Sequence, residues 1–271
     1  MGKSNKTYTS VAIFMPKIRY LNYDDAQSPF CTTPKLLTPA NNIKYNSVHY
    51  DYFEFQHTLS DEERVQFLHD AYERIMALTI EGTYRNINKV MRFLRTSDFY
   101  RISCRHHQFV GGNAWHQLET LCHAFLDPFD RGAKGYDEVD LYRQQRAEWL
   151  EADRFGIAVV CLLHDAGNVT GVDFPGRVLK RHGRRSTYVL TDLCRFDLMF
   201  DENMAIIYHQ EKDPEALRYA TPDEETFERI LAFPLYRMIR HCDAISCTCR
   251  LTESELQSRL EELYTMLEAE R

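Results

Sequence analysis

Apolar side chains recur every three or four positions along most of the chain beyond residue 58, a spacing typical of amphipathic α-helices. Ser60, with Glu63 three residues later, forms a capping-box pattern that predicts the start of a helix. The whole pattern predicts helices at about 60–82, 83–94, 113–126, 138–163, 189–209, 223–250 and 252–271. Residues 1–58 show no sustained period and carry many turn residues, so we predict an irregular N-terminal arm there.

The most apolar stretch of the chain closes the helix predicted at 138–163. Its last residues, Ile157–Leu163, are apolar on almost every side, which predicts that this segment runs through the core. The following run, Gly167–Arg185, is rich in glycine and basic residues. We therefore predict that this run is mostly loop.

The composition favours a helical protein. Glycine and proline number only 11 and 9 in 271 residues, which disfavours a turn-rich sandwich or barrel. The predicted fold class is all-α, a helical bundle with an irregular N-terminal arm. We divide it into an arm with scaffold helices (1–98), a central helical domain (99–251) and a C-terminal helix (252–271).

Charge and hydropathy narrow the range of partners. Lys and Arg number 33 against 40 Asp and Glu, which gives a net charge of −7 and disfavours a broad surface for long nucleic acid. The longest apolar run, Phe155–Leu163, is far shorter than the roughly 20 residues that cross a bilayer. The N-terminus also lacks the apolar core of a signal peptide. We expect a cytoplasmic protein with no membrane partner.

Candidate chemistry begins where the apolar helix ends, at His164-Asp165. Ionisable groups are costly in such a place unless something pairs with them, and a divalent metal ion would do so. His116 on the preceding helix and Asp243 on a later one could supply further ligands. The sequence predicts that these four side chains converge on one ion. The candidate metals are Mn, Fe, Zn, Co, Ni and Mg.

The order of these ligands resembles the H…HD…D pattern of the HD-domain metal-dependent phosphohydrolases, an all-helical superfamily. The run Leu162–Gly167 is similar to that family's apolar-apolar-HD-x-G turn. Upstream, the run His106–Gly112 followed by His116 resembles the HH-x-F/Y-x-GG-x-x-x-H segment of its exoribonuclease-like branch. The resemblance covers residues of about 100–250 and implies an HD-domain helical bundle.

A second branch of the superfamily, the 5′-nucleotidases, is similar around HD-A, with Asp173 and Pro175 downstream. Asn168 departs from both branches, because it stands where one has a glutamate and the other a lysine. An asparagine side chain cannot exchange a proton near neutral pH. Asn168 therefore also admits a module of the same fold that has lost turnover.

The resemblance also implies a second metal ion, held by two further histidines between the HD pair and the last aspartate. His182 and His209 occupy that interval, and Asp165 would then bridge the two ions. His182 lies among basic residues, so contact with a substrate phosphate is an alternative role for it. Asp173 is the candidate for orienting water or protonating the leaving oxygen.

Cations on both sides of the HD pair are candidates for binding substrate phosphate, although a basic run is also typical of a solvated loop. They are Arg101, Arg105, Arg177, Lys180, Arg181 and Arg184.

The functional hypothesis is a metal-dependent phosphohydrolase, a phosphomonoesterase or phosphodiesterase. Its substrate would be a nucleotide or a short RNA end, and the net negative charge favours the smaller of these. The alternative is a catalytically reduced HD module that binds a nucleotide or another phosphorylated ligand. Either hypothesis is compatible with a homo-oligomer.

Overall fold

The computed structural model describes residues 58–79, 85–126, 139–175, 181–211, 214–248 and 250–269. These residues form α-helices and no strand, so the predicted all-α class is confirmed. The predicted arm at 1–58 lies outside them except for residue 58. The helices are α1 (Asp61–Thr79), α2 (Ile87–Thr96), α3 (Gly112–Phe125), α4 (Val139–Leu163), α5 (His182–Tyr188), α6 (Phe200–Tyr208), α7 (Pro214–Ala220), α8 (Glu224–Ala232), α9 (Pro234–Thr248) and α10 (Glu253–Ala269).

Capping boxes start the first and last of these helices, and the first of the two boxes was predicted above. The backbone N–H of Ser60 donates to the Glu63 carboxylate at 2.9 Å, and the Glu63 N–H donates to the Ser60 hydroxyl at 3.4 Å. Thr252 and Glu255 repeat the exchange at 2.7 and 3.4 Å. Each box satisfies backbone donors that the first turn of a helix would otherwise leave free.

Two predicted helices are each broken in the structure. The helix predicted at 189–209 is wrong, because a π-helical turn at Val189–Leu193 and an irregular segment precede α6. The helix predicted at 223–250 is two helices, because Pro234 forces the preceding residue, Phe233, out of the helical region. Pro234 then begins α9, where its missing N–H costs no hydrogen bond.

The loop predicted at Gly167–Arg185 needs a correction at each end. Ala166–Asn168 form a short 3-10 turn directly after the HD pair. At the other end α5 begins at His182, inside the predicted loop. Helix α7, which is only 7 residues long, was not predicted at all.

The core lies between α3, α4 and α9, which pack on one another. Every residue of α3 is buried, and the end of α4, Ile157–Leu163, is at most 1% exposed. Side chains of α1, α2 and α10 join the same core, so all three predicted divisions of the chain contribute to it. Of the helices in the described ranges, none is both long and apolar enough to cross a membrane.

Candidate metal centre

Imidazoles and carboxylates from five helical elements meet where α4 ends. Helix α3 supplies one, the turn after α4 two, the first residue of α5 one, the C-cap of α6 one and α9 one. They are His116, His164, Asp165, His182, His209 and Asp243. All six were candidates from the sequence, and the fold brings them together.

One half of the cluster joins α3, α4 and α9. The Nε2 atom of His116 lies 2.8 Å from Oδ1 of Asp243, across 127 positions of sequence. His164 Nε2 lies 3.9 Å from that same oxygen and 3.9 Å from Oδ2 of Asp165. The four groups predicted to share an ion are therefore neighbours. Their binding of an ion stays a prediction.

The other half joins Asp165 to α5 and α6. Oδ1 of Asp165 lies 3.1 Å from Nε2 of His182 and 3.5 Å from Nε2 of His209. The two imidazole nitrogens are themselves 2.9 Å apart. The two oxygens of Asp165 thus face different imidazoles, Oδ2 towards His164 and Oδ1 towards the histidines of α5 and α6.

Glycines allow α5 to approach this closely. A Cβ on Gly183 would lie 2.3 Å from the carbonyl oxygen of Ile206, so α5 meets α6 with no side chain between them. A Cβ on Gly167 would lie 2.2 Å from the backbone nitrogen of Ser186. The Ser186 hydroxyl accepts a hydrogen bond from the Gly167 N–H at 2.9 Å. This bond fixes α5 against the HD turn, the short turn that follows His164-Asp165.

Backbone carbonyls set the tautomers of two histidines. His164 Nδ1 lies 2.9 Å from the Cys161 carbonyl, and His209 Nδ1 lies 2.7 Å from the Ile206 carbonyl. A carbonyl only accepts, so each Nδ1 carries the hydrogen and each neutral ring keeps a lone pair on Nε2. Both lone pairs point into the cluster.

One nitrogen has the surroundings expected of a metal ligand. His164 Nε2 is buried and has no hydrogen-bond partner within the described residues. The Nε2 atoms of His209 and His182 are 2.9 Å apart, too close for two lone pairs to face each other. Either His182 Nε2 carries a hydrogen that it donates to His209, or both nitrogens bind one cation. Imidazole nitrogens with carboxylate oxygens suit a divalent transition metal. The buried groups could therefore hold a metal ion.

The protonation states also suit a cation. Burial lowers the pKa of His164 to about 4, so its ring is neutral at physiological pH. For Asp165, burial favours the neutral acid, but its interactions with the neighbouring imidazoles, first of all His182, outweigh it and hold the pKa well below its ordinary value. The pKa of Asp243 is lowered in the same way by His116. Metal ligands must be deprotonated, and His164, Asp165 and Asp243 meet that requirement.

Two imidazoles hold protons more tightly than usual. Burial opposes charge on His116, but its hydrogen bond to Asp243 and the charge of that carboxylate raise its pKa. Asp165 raises the pKa of His209 against burial in the same manner. A cation in the cluster would replace these protons as the partner of the carboxylates.

The cluster is closed on one side and open on the other. The side chains of His164 and His209 are at most 2% exposed, whereas those of Asp243 and His182 are 25% and 33% exposed. Solvent and a substrate would therefore approach past Asp243 and His182.

A neighbouring group of His107, His116 and Glu119 has donor atoms close enough for a metal, but its carboxylate is fully occupied. Oε1 of Glu119 accepts from Trp115 Nε1 at 3.0 Å and from the Leu251 N–H at 2.7 Å. Oε2 lies 2.8 Å from His107 Nε2 and accepts from the Ser246 hydroxyl at 2.8 Å. A carboxylate has about four acceptor sites, so Glu119 has none left for a metal.

Sequence reasoning missed Glu119 and Ser246. The available signal was the position of Glu119 within the apolar stripe of α3, three residues after His116, where it is 0% exposed. Ser246 has no comparable signal, because a serine is common on any helix face.

Four of the six candidate phosphate-binding cations lie in the described part of the chain. Arg101 is exposed and pairs with Glu62, with Nη1 2.9 Å from Oε1. Arg105 is also exposed. Arg177 and Lys180 lie outside the described residues.

Two further cations lie on or beside α5. Arg181 forms an ion pair with Glu211, which follows α6. Arg184 lies beside the Tyr208 hydroxyl at the end of α6, where it opposes the rise in the pKa of Tyr208 that burial causes.

Asp173 and Asn168 have different surroundings. Asp173 is exposed and makes no hydrogen bond or ion pair with the described part of the chain. Asn168 donates to the Asn113 side-chain oxygen at 3.0 Å and accepts from Arg185 at 3.4 Å. Asn168 is thus held in a polar chain beside the HD turn.

Comparison with known proteins identifies no relative of this chain, so the proposal below rests on the sequence pattern and the geometry of the site. Scans of protein-family models, curated proteins and solved structures find no match to this chain.

Proposed function

We propose that this protein is a metal-dependent phosphohydrolase of the HD-domain type, acting on a phosphoester of a nucleotide or a short RNA end. The observation that carries the proposal is the position of Asp165, one of whose oxygens faces His164 while the other faces His182 and His209. The H…HD…D order and the segment before His116 support the same assignment.

The ligand sets are those that the sequence pattern and the resemblance imply, and they are supported by two close groups of donor atoms, one from His116, His164 and Asp243 and one from His164, Asp165 and His209. One ion would be held by His116, His164, Asp165 and Asp243, and a second by Asp165, His182 and His209. When bound, a divalent ion supplies a Lewis acid for the phosphoryl group and lowers the pKa of water. The carbonyls of Cys161 and Ile206 keep the rings of His164 and His209 oriented for this role.

Other residues of the chain complete the proposed site. Asp173 is exposed eight positions after Asp165 in the chain, and its carboxylate would orient water or protonate the leaving oxygen. Arg101, Arg105, Arg181 and Arg184 would neutralise charge on the substrate phosphate.

Hydrolysis of p-nitrophenyl phosphate and bis-p-nitrophenyl phosphate with added Mn²⁺ tests the activity and separates monoesterase from diesterase. Asp165→Asn keeps the size of the side chain and removes its charge, so it serves as the matched inactive variant. A panel of mononucleotides, cyclic nucleotides and short RNA would then identify the substrate. Equal rates for wild type and Asp165→Asn would contradict the proposal.

Asn168 favours a second candidate, a binding or regulatory module without turnover. Its amide cannot transfer a proton and is engaged by Asn113 and Arg185. This candidate predicts metal-dependent binding of a nucleotide in calorimetry, with no hydrolysis of any member of the panel.

A further inference from the structure

Behind His116, on the side away from Asp243, lies a buried serine. The Oγ atom of Ser246 on α9 is 2.9 Å from His116 Nδ1, 2.8 Å from Glu119 Oε2 and 3.2 Å from the His116 carbonyl oxygen. Ser246, Glu119 and His116 are all buried, at 0%, 0% and 3% exposure. Water therefore does not take the place of any of these contacts.

The hydrogens in this group can be assigned by elimination. A hydrogen must lie between two oxygens 2.8 Å apart, and an ionised Glu119 has none, so the Ser246 hydroxyl donates to it. The hydroxyl has only that one hydrogen. Its oxygen must then accept from His116 Nδ1, which therefore carries a hydrogen.

The carboxylate that orients Ser246 is itself fixed. Glu119 accepts from the indole of Trp115 on its own helix and from the backbone of Leu251 before α10, and His107 lies against its other oxygen. Three separate parts of the chain thus hold one buried carboxylate. Rotation of Glu119 would leave several buried donors without partners, which is costly.

We propose that Ser246 and Glu119 are positioning residues that fix the tautomer and orientation of His116, so that its Nε2 lone pair is presented to the metal centre. The inference rests on the proposed function, because it assigns a partner to one of the proposed ligands. When the second ring nitrogen of a ligand histidine donates its hydrogen to a neighbouring acceptor, the nitrogen that binds the metal becomes more basic and the ring is held in place. Here the hydroxyl of Ser246 relays that effect from a carboxylate that does not touch the ring.

The test compares Ser246→Ala with Thr120→Val. Thr120 is also buried, and its hydroxyl donates to the His116 carbonyl at 2.8 Å rather than to the ring. Loss of a partner behind a ligand typically weakens metal binding about 10–100-fold. Calorimetry with Mn²⁺ should show a loss of that size in Ser246→Ala and a change below about threefold in Thr120→Val, where the ring keeps its partner.

A second measurement reports on the ring without any metal. Because the Asp243 carboxylate competes for a hydrogen on Nε2, this measurement uses the Asp243→Ala background. The ¹⁵N spectrum of histidine-labelled, metal-free Asp243→Ala at alkaline pH should show the His116 hydrogen on Nδ1, and adding Ser246→Ala should shift it towards Nε2. The signal is assigned by its absence in His116→Gln. Thermal unfolding verifies that each variant folds.

The outcomes separate the two proposals. If the wild-type protein binds no Mn²⁺, the proposed function is overturned. The position of the His116 hydrogen then still tests the positioning role of Ser246. Equal Mn²⁺ affinity in Ser246→Ala and wild type overturns the positioning role alone. A His116 hydrogen on Nε2 in the Asp243→Ala background does the same, and this measurement decides the matter even if Ser246→Ala does not fold.

Discussion

At the scale of single residues, Asp165 and Asp173 are aspartates eight positions apart with opposite surroundings. Asp165 is buried between imidazoles, and Asp173 is exposed. We expect Asp165→Asn to lose bound Mn²⁺ and all metal-dependent hydrolysis. Asp173→Asn should keep the metal and lose turnover, because its proposed role is in proton transfer or in orienting water. Metal analysis beside the hydrolysis assay checks both, and loss of metal in Asp173→Asn would show that its role is assigned wrongly.

The raised pKa values of His116 and His209 predict how metal affinity depends on pH. A raised pKa means that the metal-free ring holds its proton above the ordinary pKa, so an incoming cation must displace it. Affinity for Mn²⁺ should therefore rise from about pH 6 to about pH 8, with release of protons. Calorimetry in buffers of different ionisation enthalpy measures that release. An affinity independent of pH would contradict the assignment of these rings as ligands.

The sequence identified the six cluster side chains but not their support. His164-Asp165 stands out because two ionisable residues follow an apolar run. The neighbouring predicted helices supplied His116 and Asp243, and the resemblance supplied His182 and His209. Glu119 escaped because its place in the apolar stripe of α3 indicates burial but not which groups it pairs with, and Ser246 escaped because a serine carries no such signal. Their role depends on Leu251 and His107, which are distant in sequence or on another segment.

At the scale of elements, the contact of α5 with α6 sets the distance between His182 and His209. Gly183→Ala would place a methyl group 2.3 Å from the Ile206 carbonyl, so α5 must move away. Such overpacking typically costs about 1–3 kcal/mol of stability. We expect Gly183→Ala to unfold at lower temperature and to bind fewer Mn²⁺ ions per chain, because only the half that contains His182 is displaced.

Gly171→Ala is the comparison for this variant. Gly171, unlike Gly183, has a positive φ of 76°, and a Cβ there meets nothing within 4 Å. It should cost backbone strain of about 1–2 kcal/mol and leave the number of bound ions unchanged. An equal loss of ions in both variants would mean that packing against α6 does not control the second half of the cluster.

Element boundaries show where the sequence pattern is insufficient. The starts of α1 and α10 were predictable because a capping box is local in sequence. The break in the helix predicted at 189–209 was not, because it depends on a π-helical turn with no proline to mark it. Pro234 did mark the break between α8 and α9, but the apolar pattern continues across it and hid the signal.

At the scale of the whole molecule, the cluster links the stability of the fold to metal and pH. The raised pKa values of His116 and His209 stabilise the metal-free protein below the ordinary histidine pKa, and this stability is lost as pH rises through the raised values. Chelator-treated protein should therefore have a lower Tm at about pH 9 than at about pH 6.5. Bound Mn²⁺ replaces the protons, so its stabilising effect should grow over the same range.

Differential scanning calorimetry with and without chelator measures this difference. Asp165→Asn is the control, because the variant should show no stabilisation by Mn²⁺ at any pH. A chelator effect of the same size at both pH values would contradict the exchange of protons for metal.

The most direct test of the central claim is anomalous X-ray diffraction from crystals of the protein grown with Mn²⁺. The proposal predicts a peak among His116, His164, Asp165 and Asp243, and a second beside His182 and His209, with ligand distances of about 2.0–2.3 Å. Crystals without a peak in either half of the cluster, with His116 still in direct contact with Asp243, would contradict it.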